Sequence, residues 1–427
     1  MNELRLFHSK ELKESYEFFR HSSGLRVFVC PKELRQTHAI LGTNFGAVDR
    51  TVSILGETET LPAGVAHFLE HKMFESEDGS DAFSQFAAVG AQANAYTSLG
   101  VTAYYFSCTS RFSEALPILL GFVSSPYFTP ENVEKEMDII GQEIRMYEDQ
   151  PHSRLYWSLI SNLYVKHPIR DTVTGTVSSI REITPDLLYR IHAAFYHPEN
   201  MILAVCGKVT AAEVSRILDE CFRAPLTAAG KSLPVEEPAA LACASSELRM
   251  QVARPLVSIG AKDVRYPADP MEREKRNCTL DLALDLIFGR SSEFYNRYYA
   301  EGLFADDFSA DYDSFSGGAF FAASCETDEP ERFCALVKQE IADFLEKEPD
   351  PRDFTRLKRC LYADFVRAFD NTEEIANLLF TQGGRGVDLF SIGQIIQNIT
   401  PEDVKAVFRD MFFDAQFATV VVRPISS

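Results

Sequence analysis

Two histidines and a glutamate inside five residues, His67, Glu70 and His71, are where this chain has the clearest capacity for chemistry. They lie in a helix-compatible stretch from Leu61 to Glu75, and Pro62 suits a first helical turn. On a helix, His67 and His71 stand one turn apart on one face, so both imidazoles can reach one metal ion. Glu70 sits at the edge of that face and can reach the open position of the metal without being a ligand. The order His-x-x-Glu-His inverts the commoner His-Glu-x-x-His and is itself a zinc-peptidase signature. The alternative is a helix that happens to carry these three residues. With nine His in 427 residues, that spacing rarely arises by chance.

A catalytic zinc usually takes three protein ligands and keeps one position open. The third has to come from elsewhere. The spacing predicts a helix over Thr129–Asp149, with Thr129 as its cap and Pro130 in its first position. Val133, Met137, Ile140, Ile144 and Tyr147 form its apolar stripe. Glu136 and Glu143 share another face, two turns apart. Most helix glutamates are solvated, and spacing alone does not choose between these two as a ligand.

Strand-like runs occur at Leu25–Cys30, Ala39–Phe45, Asn94–Thr97, Thr102–Cys108 and Met201–Val205, with a short helix over Asp81–Ala88 and further helices reaching Tyr164 and Tyr196. Residues 229–248 are rich in Ala, Pro, Ser and Glu without periodicity and read as a linker. It separates an expected metal-binding domain, 1–228, from a second domain, 249–427. Ile183-Thr184-Pro185-Asp186 returns as Ile399-Thr400-Pro401-Glu402, an offset of 216, and at that offset the strand at Leu203–Val205 falls on Thr419–Val421. Half the chain length as a repeat implies a duplicated domain. The second copy lacks the metal motif, because His67 corresponds to Ala283.

A net charge of −20 argues against nucleic acid or an anionic membrane as the main partner. No apolar run is long enough to span a bilayer, so membrane insertion is not expected. The nine Cys are scattered, with no Cys-x-x-Cys, as befits free thiols in a reducing compartment. The expected location is cytoplasmic. Gln382-Gly383-Gly384-Arg385-Gly386 lacks a phosphate-loop Lys-Ser/Thr and reads as a turn. His152, His167, His192 and His197 read as non-ligands.

Three segments in register resemble the insulinase/pitrilysin family of zinc peptidases, which includes the mitochondrial processing peptidases. They are Gly64-Val65-Ala66-His67-Phe68-Leu69-Glu70-His71-Lys72-Met73-Phe74, Asn94-Ala95-Tyr96-Thr97, and Glu136-Met137-Asp138-Ile139-Ile140-Gly141-Gln142-Glu143. In that family the third ligand is the second of two Glu seven apart, and Glu143 matches. The resemblance implies zinc held by His67, His71 and Glu143, with Glu70 as general base and Glu136 behind the ligands, orienting a His. It also implies that Asn94, Ala95 and Tyr96 form an edge strand to which a peptide substrate adds.

The implied fold is α+β: two tandem homologous domains, each a mixed β-sheet with helices packed on one face. The implied activity is a zinc-dependent endopeptidase acting on peptides or short unfolded segments, as a homo- or hetero-dimer with a related subunit. One stretch departs from the family pattern. Active members carry Arg-x-x-x-Gly-Leu-x-Tyr in the second domain, whereas here Tyr298 and Ala305 stand at the Arg and Tyr positions around Gly302-Leu303. That leaves two other readings open: a zinc-binding but catalytically weak subunit or scaffold, and hydrolysis of a non-peptide amide.

Overall fold

The five strand-like runs of the first half all join one sheet in the computed structural model, which describes residues 2–77, 79–222, 228–315 and 317–425. Its strands are β1 (Asn2–Ser9), β2 (Glu14–Arg20), β3 (Arg26–Pro31), β4 (Thr37–Thr43), β7 (Ala91–Thr97), β8 (Thr102–Cys108) and β9 (Met201–Gly207). Between β4 and β7 come β5 (Thr51–Ile54) and β6 (Glu57–Thr60), which with β10 (Lys231–Ser232) form a separate small sheet. The large sheet runs β1-β2-β3-β9-β4-β8-β7, with β3 and β9 parallel and the other neighbours antiparallel.

A second sheet contains β11 (Ser245–Met250), β12 (Leu256–Lys262), β13 (Ser309–Phe315), β14 (Gly318–Glu326) and β15 (Phe417–Pro424), in the order β11-β15-β12-β14-β13. Here β11 and β15 are parallel and the rest antiparallel. This reproduces β3-β9-β4-β8-β7 strand for strand and sense for sense. The repeated Ile-Thr-Pro segments behave alike as well. Thr184 caps the helix Pro185–Phe195, Thr400 caps the helix Pro401–Phe412, and each helix feeds the second strand of its five-strand pattern. The duplication is therefore architectural, and the α+β class with mixed sheets holds.

At the offset of 216, the metal-motif positions fall in the helix Pro270–Phe288 as Ala283, Leu286 and Ile287. Ala283 and Ile287 are buried. Apolar packing occupies the place of the metal motif in the second copy.

The chain divides into two compact units that are not contiguous in sequence. The first contains residues 1–144, 172–234 and 366–390, and the second contains 145–171, 235–365 and 391–427. Two segments thus lie on the other side of the expected 1–228 and 249–427 division. Within the first unit, Val27, Val29, Ala39, Leu41, Leu203 and Val205 face the main core beside Phe68 and Leu69. The opposite face of the sheet, where Phe28, Gly42 and Ile202 point, is covered by the late segment. The Phe380 ring lies where a Cβ on Gly42 would stand, and Gly383 and Gly384 meet Phe28 and Ile202. A π-helical segment, Leu379–Gly383, leads into these contacts, and the expected turn closes it at Arg385-Gly386.

In the second unit Leu159, from the helix Pro151–Leu163, packs on Gly260 of β12. The expected linker is partly ordered: 231–232 and 245–248 are strand, and Glu237 is pinned. Its carboxylate accepts from the backbone N–H groups of Val165, Lys166 and His167, each at 2.8 Å, and from Lys262 Nζ at 2.7 Å.

Candidate metal centre

The motif helix is Val65–Lys72. It starts three residues later than Pro62 would allow, because Gly64 precedes it in the left-handed region at φ 86°. A Cβ there would stand 2.3 Å from the Thr174 carbonyl oxygen, and Ser179 Oγ donates to Ala63 O at 2.8 Å. The 172–179 segment therefore braces the start of the helix, and only glycine combines that φ with that approach. Gly64→Ala is expected to destabilise the fold by more than about 2 kcal/mol, read as a lower midpoint in urea unfolding. A midpoint equal to that of the wild type would contradict the brace.

The second contributing helix, Pro130–Glu148, is capped by Thr129 Oγ1, which accepts from Asn132 N at 3.1 Å. Val133, Ile140 and Ile144 anchor it in the core. Glu136 is buried and Glu143 is only partly exposed.

From these two helices the structure brings together His67, His71 and Glu143. One donor atom from each lies within 4.8 Å of the others, the one such group among the described residues. Glu143 Oε2 is 3.7 Å from His67 Nε2 and 3.7 Å from His71 Nε2. Ligands about 2.0–2.1 Å from a tetrahedral zinc stand about 3.4 Å apart, so the trio needs little closure to hold one. Two imidazoles and a carboxylate are also a donor set zinc accepts. Burial, then the neighbouring His71, pushes the His67 pKa down to about 3, which keeps its ring neutral as a ligand must be.

Glu136 does not join the donor group. Its Oε1 accepts from His71 Nδ1 at 3.0 Å, fixing the ring so that Nε2 faces Glu143. Burial alone would lower the His71 pKa, but the hydrogen bond and charge of Glu136, with the charges of Glu70 and Glu143, together outweigh it and raise it. Lys72, fully buried, lies behind this arrangement, with Nζ 2.7 Å from Glu75 and 3.8 Å from Glu136. Sequence reasoning passed over Lys72, although it follows His71 directly in the motif.

Glu70 is buried and also lies outside the donor group. Burial raises its pKa, against the opposing effects of the Thr97 hydroxyl and the His71 charge. Thr97 Oγ1 donates to Glu70 Oε2 at 2.7 Å. This contact too escaped the sequence, though Thr97 ends one of the quoted segments.

Asn94, Ala95 and Tyr96 lie on β7, the outermost strand of the seven-stranded sheet. Asn94 is exposed, while Ala95 and Tyr96 are half-buried. The Ala95 N–H donates to Asn94 Oδ1 at 2.9 Å, so it points away from β8 toward the open edge. Three of the other histidines have partners of their own. His192 Nε2 meets Val123 O at 2.9 Å, and the Nδ1 atoms of His167 and His197 accept from Ile169 N and Glu199 N. In the second unit, Tyr298 packs edge-on against Phe294 at 4.9 Å between ring centroids, and Ala305 is exposed.

Residues 56–177 match the family model described as Insulinase (Peptidase family M16), and residues 182–361 match the one described as Peptidase M16 inactive domain. The uncharacterized zinc protease YmfH of Bacillus subtilis is 36% identical over 412 residues, covering 94% of this chain and 95% of that protein. An uncharacterized zinc protease of Rickettsia bellii is 26% identical over 373 residues, 84% of this chain and 87% of its own. Among solved structures, an M16-like peptidase from Alicyclobacillus acidocaldarius superposes with a TM-score of 0.92 at 31% identity, covering 96% of this chain and 98% of that one. A protease from Helicobacter pylori has the same fold, with a TM-score of 0.84 at 20% identity over 96% of this chain and all of its own.

Proposed function

The chain belongs to the insulinase family of peptidases, M16, and from that premise we propose that it is a zinc-dependent endopeptidase acting on peptides or short unfolded segments. The observation that carries this reading is a buried carboxylate, Glu70, beside but outside a three-donor group. A scaffold needs no such base.

His67, His71 and Glu143 would hold the zinc, with Glu136 orienting His71. Bound there, zinc supplies a Lewis acid for the scissile carbonyl and makes water easier to deprotonate. Glu70 takes the proton of the attacking water on its carboxylate and returns it to the leaving amine. Asn94–Tyr96 bind the substrate main chain: an extended peptide adds beside β7 and replaces the Asn94 side chain on the Ala95 N–H. Recognition through the main chain depends little on side chains, which suits peptides and unfolded segments.

The test is cleavage of a mixture of basic and neutral peptides by the zinc-loaded protein, read by mass spectrometry. Cut positions confined to the wild type, and lost in a Glu70 variant, support the reading. No cleavage with zinc bound sinks it. Tyr298 and Ala305 favour the second reading, a zinc-binding subunit that needs a related chain to complete it, as a homo- or hetero-dimer. Adding such a chain would then restore cleavage. Nine free cysteines fit a cytoplasmic location. Among the described residues no helix is long and apolar enough to cross a membrane.

Glu136→Gln keeps the shape but weakens the grip on His71. Zinc affinity is expected to fall about 10–100-fold, measured by competition with a chromophoric chelator. An unchanged affinity would remove Glu136 from the site.

A further inference from the structure

We propose that Thr97 is the positioning residue for Glu70, holding the carboxylate in one orientation from the end of the edge strand. The inference rests on the reading of Glu70 as the base. Thr97 is the last residue of β7, directly opposite Thr102 on β8. Its single hydroxyl proton has two acceptors within reach: Glu70 Oε2 at 2.7 Å and Thr102 Oγ1 at 3.4 Å. The nearer acceptor is a carboxylate and makes the stronger bond. Thr102 is fully buried and its hydroxyl donates to Phe45 O at 2.9 Å. Thr102 therefore has no proton to offer Thr97, and its oxygen stands behind the Thr97 hydroxyl as a fixed neighbour. The Thr97 backbone N–H also serves Glu70.

Two donors from one residue thus hold the carboxylate. A base held this way keeps one orientation. The strand that carries Asn94, Ala95 and Tyr96 ends in the residue that holds the base, so strand and base share one register. A shift of β7 along β8 would move both together.

The experiment compares wild type, Thr97→Val, Thr97→Ser and Glu70→Gln, all zinc-loaded, on one peptide that the wild type is seen to cleave. Thr97→Val keeps the side-chain shape and removes the proton. It is expected to lower kcat about 10–100-fold, with KM changed less than about twofold and zinc content equal to wild type. Thr97→Ser should restore most of kcat, because it returns the hydroxyl. A readout independent of activity is the melting temperature. The loss caused by Thr97→Val should shrink in the Glu70→Gln background, because the charged acceptor has gone.

Wild-type kcat in Thr97→Val overturns the proposal. So does a Thr97→Ser enzyme as slow as Thr97→Val, or an equal loss of melting temperature in both backgrounds. Should Thr97→Val fail to fold, Thr97→Ala takes its place against the same Ser rescue. Full activity in Glu70→Gln removes the base reading itself, whatever the Thr97 variants do. A wild type that cleaves nothing overturns both.

Discussion

Glu70→Gln should abolish peptide cleavage, by at least about 10²-fold, and leave zinc bound. The two halves of that expectation come from different observations. Glu70 lies outside the His67, His71 and Glu143 donor group, so replacing it removes no ligand. The role we propose for it is to accept a proton, which an amide cannot do. Gln has the same shape and its oxygen still accepts from the Thr97 hydroxyl. The fold should not suffer either. With shape and hydrogen bond kept, the melting temperature is expected to stay close to that of the wild type. Cleavage rates, metal analysis and a thermal scan of one preparation check all three. A variant that retains activity would place the base elsewhere.

Glu143→Ala should have the opposite signature: zinc is lost, and activity with it. Glu143 supplies the carboxylate oxygen that lies 3.7 Å from His67 Nε2 and His71 Nε2, and two imidazoles alone would make a poor zinc site. After dialysis against a mild chelator, the variant is expected to hold well under one zinc per chain while the wild type keeps its metal. Zinc bound only by the folded state adds to stability, so a strong chelator should lower the melting temperature of the wild type and leave that of Glu143→Ala unmoved. Zinc retained by Glu143→Ala but lost in Glu136→Ala would reverse the assignment of the two glutamates.

Much of this site was legible in the sequence, for physical reasons that can be named. Helical periodicity puts His67 and His71 on one face with no help from the rest of the chain. The repeated Thr-Pro caps report local structure that each segment can form by itself, which is why Thr184 and Thr400 marked two copies of one architecture.

The unread parts depend on partners distant in sequence. Gly64 looked like an ordinary helix-compatible residue until Thr174, 110 positions later, showed why no side chain fits. The placing of 366–390 in the first unit rests on a ring of Phe380 filling the space above Gly42, a match of sizes that no local pattern reports. Glu136 and Glu143 were equivalent by spacing. Burial against Lys72 separates them, because the inner one is committed to holding His71 and the outer one is left to face the histidines.

The Asn94 side chain on the Ala95 N–H bears on how an open sheet edge survives in a crowded solution. Exposed edges invite like chains to zip together and aggregate. On β7 the outward N–H of Ala95 is already capped by the side chain one residue before it, at 2.9 Å. A colliding copy would have to break that bond before it could begin a ladder, which makes the edge less adhesive. Asn94→Ala should therefore leave a stickier molecule, one that self-associates at concentrations where the wild type stays dispersed.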